Sequence, residues 1–467
     1  MNSSALVKHI SECFIKPQYE VEEANKPVYL APMDLVMLSV HYIQKGLLFT
    51  KPPSNSDDQI SFSTPEFLES LKESLSHTLV YFYPLAGQLA TQVDEARQES
   101  LVFVDCNKGP GARLVHATID MTVSDILTPR HVPAVVQSFF DHDRAVNHDG
   151  HHMSLLTIQV TELLDGVFIG CSMNHALGDG TSYWNFWNVW SEIHMAKNRT
   201  DLVIPSSHLP IHNRWFPDGH DAPILLPFTR HDQFVSRYEA PPLAERIFHF
   251  SPESMSRLKS KANKDHQKIY TDSKRMISSF QALSALCWRS IIRAIRLPDD
   301  QVTNCRLAAN NRHRLDPPLP ENYFGNCINA ITTTTTVSEL HEHSLGWAAS
   351  MLHQSVANHT NKALQDFLKR WLKSPFVYQI HQLFDSNSVM MGSSPRFDMY
   401  GNEFGLGKPV AVRSGYAHKF TGKVTSYQGY EGGGSVDLEI CLPPHAMEAL
   451  ESDEEFMGAV SLPLTGY

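Results

Sequence analysis

Between residues 155 and 195 the spacing of apolar positions shifts from short continuous runs to three- and four-residue steps. LLTIQVTEL (155–163) and GVFIGCS (166–172) are rich in β-branched and apolar residues and are joined by Leu164-Asp165-Gly166. An Asp-Gly pair between two such runs predicts a hairpin. From Tyr183 onward, Trp184, Trp187, Trp190 and Ile193 recur at helical steps, so the pattern predicts an amphipathic helix over 181–197. The connecting segment, MNHALGDG (173–180), sets His175 just past a strand end and Asp179 four residues later. Gly178 and Gly180 permit a sharp turn into the helix, with Asp179 or Thr181 as its N-cap.

The rest of the chain reads in the same way. Residues 29–50 alternate apolar and polar, as one or two strands do; Thr64 is placed to cap a helix beginning at Pro65, with Glu66 and Glu69 in its first turns and a stop at Tyr83-Pro84. LVFVDC (101–106) predicts a strand and 141–152 a polar loop, whereas 200–243, punctuated by seven prolines, reads as a crossover. The second half opens with a strand, then a helix capped at Ser251 with Pro252 at its first position. A helix over 278–297, strands from 305 and over 329–337, and helix to about Trp371 follow. Strand-like KPVAVRSG, GKVTSYQG and GSVDLEICLP close the chain. Gly432-Gly433-Gly434 lies between two of these with no helix after it, so it predicts a hairpin turn and not a phosphate cradle. The expected class is α/β, divided into an N-terminal domain at 1–199, a linker at 200–243 and a C-terminal domain at 244–467.

Composition narrows the function classes. With 467 residues, 42% apolar and 19% charged, the chain has the make-up of an ordinary globular protein of two large or three smaller domains. A net charge of −11 argues against general nucleic-acid binding but leaves room for a local cation cluster. Seven scattered cysteines without a CxxC pair point to reduced thiols inside the cell. Lys8, His9 and Glu12 interrupt any secretory apolar region, and no run approaches the roughly 18 apolar residues of a membrane helix. A cytoplasmic monomer without membrane or metal is the expectation.

HxxxDG alone fits several chemistries. A metal shared by His175 and Asp179 would need one helical face, which Gly178 and Gly180 oppose. The loop residues His148, Asp149, His151 and His152 lack a partner pattern such as HExxH. Ser-His-Asp hydrolysis lacks a GxSxG elbow.

Six stretches together resemble the plant BAHD acyltransferases, which move acyl groups from coenzyme A to alcohols or amines. They are 71–89 (LKESLSHTLVYFYPLAGQL), 104–117 (VDCNKGPGARLVHA), 158–180 with its HxxxDG, 278–294 (SSFQALSALCWRSIIRA), 317–327 (PPLPENYFGNC) and EFGLGKP at 403–409, in the family's order. The resemblance implies a two-domain fold like that of chloramphenicol acetyltransferase, mixed sheets flanked by helices, and an active-site channel at the domain interface. It implies His175 as general base, acyl-CoA and a small-molecule acceptor as substrates, and no metal. Asp179 and Gly180 would be structural, the aspartate turned from the channel toward an arginine. Arg312 and Arg314 are the candidates, and with Glu403 as second acid the expectation is one arginine per acid, Asp179 taking Arg312. Phe404, Gly405 and Gly407 complete a structural turn. Lys274, Arg275, Ser278 and Ser279 fall where the family holds CoA, although they equally suit a solvated turn with an ordinary cap.

Three residues depart from the family pattern. Glu403 and Leu406 replace the Asp and Trp of its DFGWG, and Pro395 stands where hydroxycinnamoyl-transferring members carry a tryptophan beside the acceptor. The EFGLG branch also resembles the lyase that releases salicylate from isochorismoyl-glutamate without CoA. Elimination, or small-molecule binding without catalysis, is the alternative to transfer.

Overall fold

The computed structural model describes residues 6–52, 62–196, 204–217, 219–221, 223–269, 276–383 and 385–462. In chain order the strands are β1 (Lys8–Ile15), β2 (Val28–Tyr29), β3 (Ile43–Thr50), β4 (Gln88–Asp94), β5 (Glu99–Asp105), β6 (Ala112–Thr118), β7 (Leu156–Glu162) and β8 (Gly166–Met173), then β9 (Ala244–Phe250), β10 (Val302–Asn310), β11 (Ile328–Thr336), β12 (Ser388–Gly392), β13 (Ala411–Ser414), β14 (Lys423–Gln428) and β15 (Val436–Leu442). They form two six-stranded sheets, ordered β1-β6-β7-β8-β3-β13 and β11-β10-β12-β14-β15-β9, and a small sheet β2-β5-β4. Both large sheets are mixed: β6 and β7 run parallel in the first, and β12 runs parallel to β10 and β14 in the second.

The predicted hairpin is β7-β8, paired from Leu156 opposite Met173 to Glu162 opposite Val167. Every β8 residue is buried, as its unbroken apolar run requires. The helix after it, Gly180–Met195, buries Tyr183, Trp187 and Trp190 completely. One side meets the helix Thr64–Tyr81, where Trp190 Nε1 donates to Ser74 Oγ at 3.1 Å. In the second lobe, helices Pro252–Ile269, Ser279–Ile295 and Leu345–Asn358 contribute to a separate core with the β-sheet residues Leu438 and Ile440.

Several expectations change. The helix at 64 has Ser63 at its N-cap without a side-chain bond, because Thr64 Oγ1 donates instead to Glu162 Oε1 at 2.8 Å. The region 29–50 keeps its last strand, but Pro32–Leu35 is a short helix whose Asp34 accepts from the Ala31 N–H. A short 3-10 turn, Asn147–His151, interrupts the polar loop. The division at 244 does not confine the C-terminal segment to one lobe: β13 crosses back to pair with β3, from Ala411 opposite Leu48 to Ser414 opposite Lys45. Edge pairing to an available strand overrides sequence order there. The glycine run at 432–434 does form the β14-β15 turn, all three residues having positive φ.

Candidate active site

His175 follows β8 by two residues, and its backbone is held on both sides. Its N–H donates to Asn147 Oδ1 at 2.7 Å, and its carbonyl accepts from Asn326 Nδ2 at 2.7 Å. Asn147 is itself buried and donates from Nδ2 to the Met37 carbonyl at 2.7 Å. Asn147→Ala would leave the buried His175 N–H without its acceptor, at ~1–3 kcal/mol, while the Met37 carbonyl keeps the Val40 N–H at 3.1 Å. Thermal unfolding should therefore show a clear fall in stability. Neither asparagine was singled out by motif; only their place beside the HxxxDG segment in space reveals them.

The imidazole of His175 is part-buried, with Nδ1 enclosed and unpartnered. Burial depresses its pKa below 6.5, outweighing the opposing pull of its own carbonyl and of the Asp179 charge. His418 stands edge-on to it, ring centres 5.9 Å apart, and His41 stands edge-on to His418 at 5.5 Å. The His418 N–H donates to His41 Nδ1 at 3.2 Å, which leaves the His41 proton on Nε2. His41 is pushed down to about 4 and His418 falls well below its ordinary value, both chiefly by burial, so this histidine group is neutral near pH 7.

Asp179 does not hydrogen-bond the imidazole. Its carboxylate accepts from the Thr181 and Ser182 N–H groups at 3.1 and 3.2 Å, capping the helix, and from Cys327 N–H at 2.9 Å. Arg312 binds it with both terminal nitrogens, at 2.7 and 3.0 Å, both side chains being wholly inaccessible. Gly178 permits this turn, since a Cβ there would lie 2.6 Å from Ser182 Cβ. Gly180 opens the helix beside the Phe397 ring. A second buried pair backs the loop: Arg214, from the linker, meets Asp34 Oδ2 at 3.2 Å and donates to the Leu177 carbonyl at 2.9 Å. Asp34 in turn accepts from Asn326 N–H at 2.9 Å. Within a proline-rich crossover, nothing in the sequence distinguished Arg214 from a solvated arginine.

The expected Arg314–Glu403 pair is absent. Arg314 donates to the Val356 and His359 carbonyls, at 3.2 and 2.7 Å, where a helix ends, while Glu403 is exposed. Helix-terminal carbonyls without an intrahelical partner accept hydrogen bonds from a nearby basic side chain. In EFGLG, Phe404 is the buried anchor, 4.7 Å from Trp190, and the positive φ of Gly405 and Gly407 shapes the turn around it. This clip lies against the far end of the helix that Asp179 caps. Ser278 caps the helix at Ser279, its Oγ accepting from Gln281 N–H at 3.2 Å while Gln281 Oε1 accepts from Ser278 N–H at 2.9 Å. Lys274 and Arg275 lie outside the described residues. In the loop at 148–152, Arg237 takes Asp149 at 2.7 and 3.0 Å, and the His148 and His151 rings lie 4.3 Å apart. Among the described residues, no group of three His, Cys, Asp or Glu side chains is arranged to hold a metal, and no helix is long and apolar enough to cross a membrane.

The chain is similar to known proteins over nearly its whole length. The model of the Transferase family matches residues 5–457. The chain is 36% identical over 462 residues to an uncharacterized acetyltransferase of Arabidopsis thaliana, covering 97% of this chain and 98% of that protein. It is 34% identical over 462 residues to the BAHD acyltransferase DCR of Arabidopsis thaliana, covering 97% and 92%. A solved structure of F. graminearum TRI101, complexed with coenzyme A and T-2 mycotoxin, superposes with a TM-score of 0.72 at 18% identity, covering 93% of this chain and 99% of that one. At that identity the likeness speaks for the fold, the two-domain arrangement of chloramphenicol acetyltransferase. With a whole-chain family match and relatives above one-third identity, the chain belongs to the BAHD acyltransferase family.

Proposed function

We propose that the protein transfers an acyl group from acyl-CoA to a hydroxyl, or an amine, of a plant specialised metabolite, with His175 as general base. The observation that carries this reading is the separation of His175 from Asp179: the acid is saturated by Arg312 and backbone donors, leaving a neutral, depressed-pKa imidazole on a fixed backbone. A thioester is an activated donor, but a neutral hydroxyl attacks it slowly unless its proton is removed in the transition state. The imidazole takes that proton as the acceptor oxygen bonds to the carbonyl carbon. The tetrahedral intermediate then expels CoA thiolate, which recovers the proton from the imidazolium. The CoA phosphates are assigned to Lys274, Arg275, Ser278 and Ser279, of which Ser278 and Ser279 open a helix whose N-terminus favours anions.

The pH profile follows in sign. Only neutral imidazole accepts the proton, so activity falls as pH drops through the His175 pKa, which lies below 6.5. The acid limb of kcat/KM is expected below pH 6.5 and the rate to be level through neutrality; a limb centred above 6.5 would contradict a buried neutral base.

The function itself is tested by incubating the purified chain with a panel of acyl-CoAs and plant alcohols and amines while following thiol release. Isochorismoyl-glutamate is run separately without CoA. Acceptor-dependent release supports transfer, CoA-independent breakdown supports the lyase, and silence in both favours binding alone.

A further inference from the structure

Between the two sheets lies a buried polar group whose charges do not balance. Three lysines contribute: Lys45 from β3, Lys419, and Lys423 from β14. Two carboxylates face them, Glu245 from β9 and Glu439 from β15. Lys419 is ion-paired with Glu245. Glu439 accepts from Ser414 Oγ at 2.5 Å and from Tyr427 Oη at 2.9 Å, and Tyr427 Oη accepts in turn from Lys45 Nζ at 3.1 Å. Both acids are thereby used. Lys423 is the cation left over, and among the described residues its ammonium makes no hydrogen bond or ion pair. The nearest aromatic ring it faces is that of Phe420, 6.0 Å to the centre.

An unpaired, part-buried ammonium is costly unless something supplies the missing charge. Burial, with the neighbouring Lys45 charge, pulls its pKa down to about 8, still above neutrality, so the cation persists. Burial raises the Glu245 pKa, and its charge is already matched by Lys419. Neutral His41 and His418 offer no anion. The Lys423 ammonium packs over Gly392 on β12, in the position a Cβ would take there. The ammonium also acts on His418, whose ring abuts His175. His418 and Lys423 belong to one stretch of chain, five residues apart, which runs from the His175 ring into β14.

We infer that Lys423, its field reinforced by Lys45, forms a carboxylate-binding subsite beside the acyl-transfer centre, and that the substrate carries a carboxylate on either the acyl group or the acceptor. This rests on the acyl-transfer reading. A charge-assisted hydrogen bond in a partly dry site favours an acid over its neutral counterpart by ~10–100-fold.

Binding separates the two claims, because it does not require turnover. Calorimetric titration of the full chain uses malonyl-CoA against acetyl-CoA for the donor, and p-hydroxycinnamate and 6-hydroxyhexanoate against their methyl esters for the acceptor. One acid is expected to bind ~10-fold or more tightly than its neutral partner. That ratio should collapse toward unity in Lys423→Met and survive in part in Lys423→Arg. Preference for malonyl-CoA places the carboxylate on the donor; preference for a hydroxy acid places it on the acceptor. In parallel, amine-directed labelling of wild-type protein, read residue by residue by mass spectrometry, should show Lys423 protected by the preferred acid and not by its neutral partner. That readout is independent of whether a variant folds. Equal binding of acid and neutral partners, discrimination that persists in Lys423→Met, or failure of every acid to bind and to protect Lys423 would overturn the subsite. Discrimination without any transfer would remove the proposed reaction and leave the subsite standing.

Discussion

Asp179→Ala is expected to cost ~3–5 kcal/mol of stability, the usual penalty when one member of a buried ion pair is removed. The geometry explains why the loss should reach that range. Arg312 is wholly inaccessible, and without the carboxylate its hydrogen-bond partners among the described residues are the uncharged Tyr323 and Gly325 carbonyls, Ser182 Oγ and Asn310 Oδ1. The Thr181, Ser182 and Cys327 N–H groups lose their acceptor at the same time. Chemical denaturation measures the effect. Adding Arg312→Met to Asp179→Ala should recover part of it, because the orphaned charge is then gone. Strict additivity would contradict a coupled pair. The pH dependence has a fixed sign. Burial raises the Asp179 pKa, but the Arg312 charge and the hydrogen bonds outweigh it, so the folded value lies below 3.8. The contribution is complete above the ordinary aspartate value and is lost as pH falls through the lower folded one. Wild-type protein should therefore lose this advantage only in strong acid.

His175→Ala should behave in the opposite way. The backbone at 175 keeps its bonds to Asn147 and Asn326 whatever the side chain, and no hydrogen bond of good geometry is made by Nδ1. Unfolding should be close to wild type, while the chemical step loses the ~10²–10⁴-fold that a positioned general base contributes. A parallel loss of stability and rate, as in Asp179→Ala, would mean that the ring is a packing element and not a base.

Much of this arrangement was legible in the chain before its structure. The β7-β8 hairpin and the following helix are legible because an Asp-Gly turn between two short β-branched, apolar runs marks them as strands and the tryptophan stripe has the helical step. Asp179 was recognisable as a cap for the same local reason. Long-range placement was not legible. β13 joins the first sheet across the chain, and its four residues say nothing about which edge they extend. β12, five residues of SVMMG, is too short to show a period. Counting acids and arginines paired Glu403 with Arg314, whereas the structure gives Arg314 to helix-end carbonyls. The Asp34–Arg214 pair is not legible, because opposite charges far apart in sequence carry no local signature. Lys423 carries no local signal for a related reason: its surplus charge appears only when five side chains from four strands and a loop are brought together.

The most direct test of acyl transfer by His175 is a single-turnover measurement of acceptor-dependent thiol release, made with acyl-CoA bound to wild-type protein and to His175→Ala of matched melting temperature. A fall of ~10²-fold or more in the acceptor-dependent rate is expected. A rate within about threefold of wild type, less than any positioned base contributes, would contradict general-base catalysis at this site.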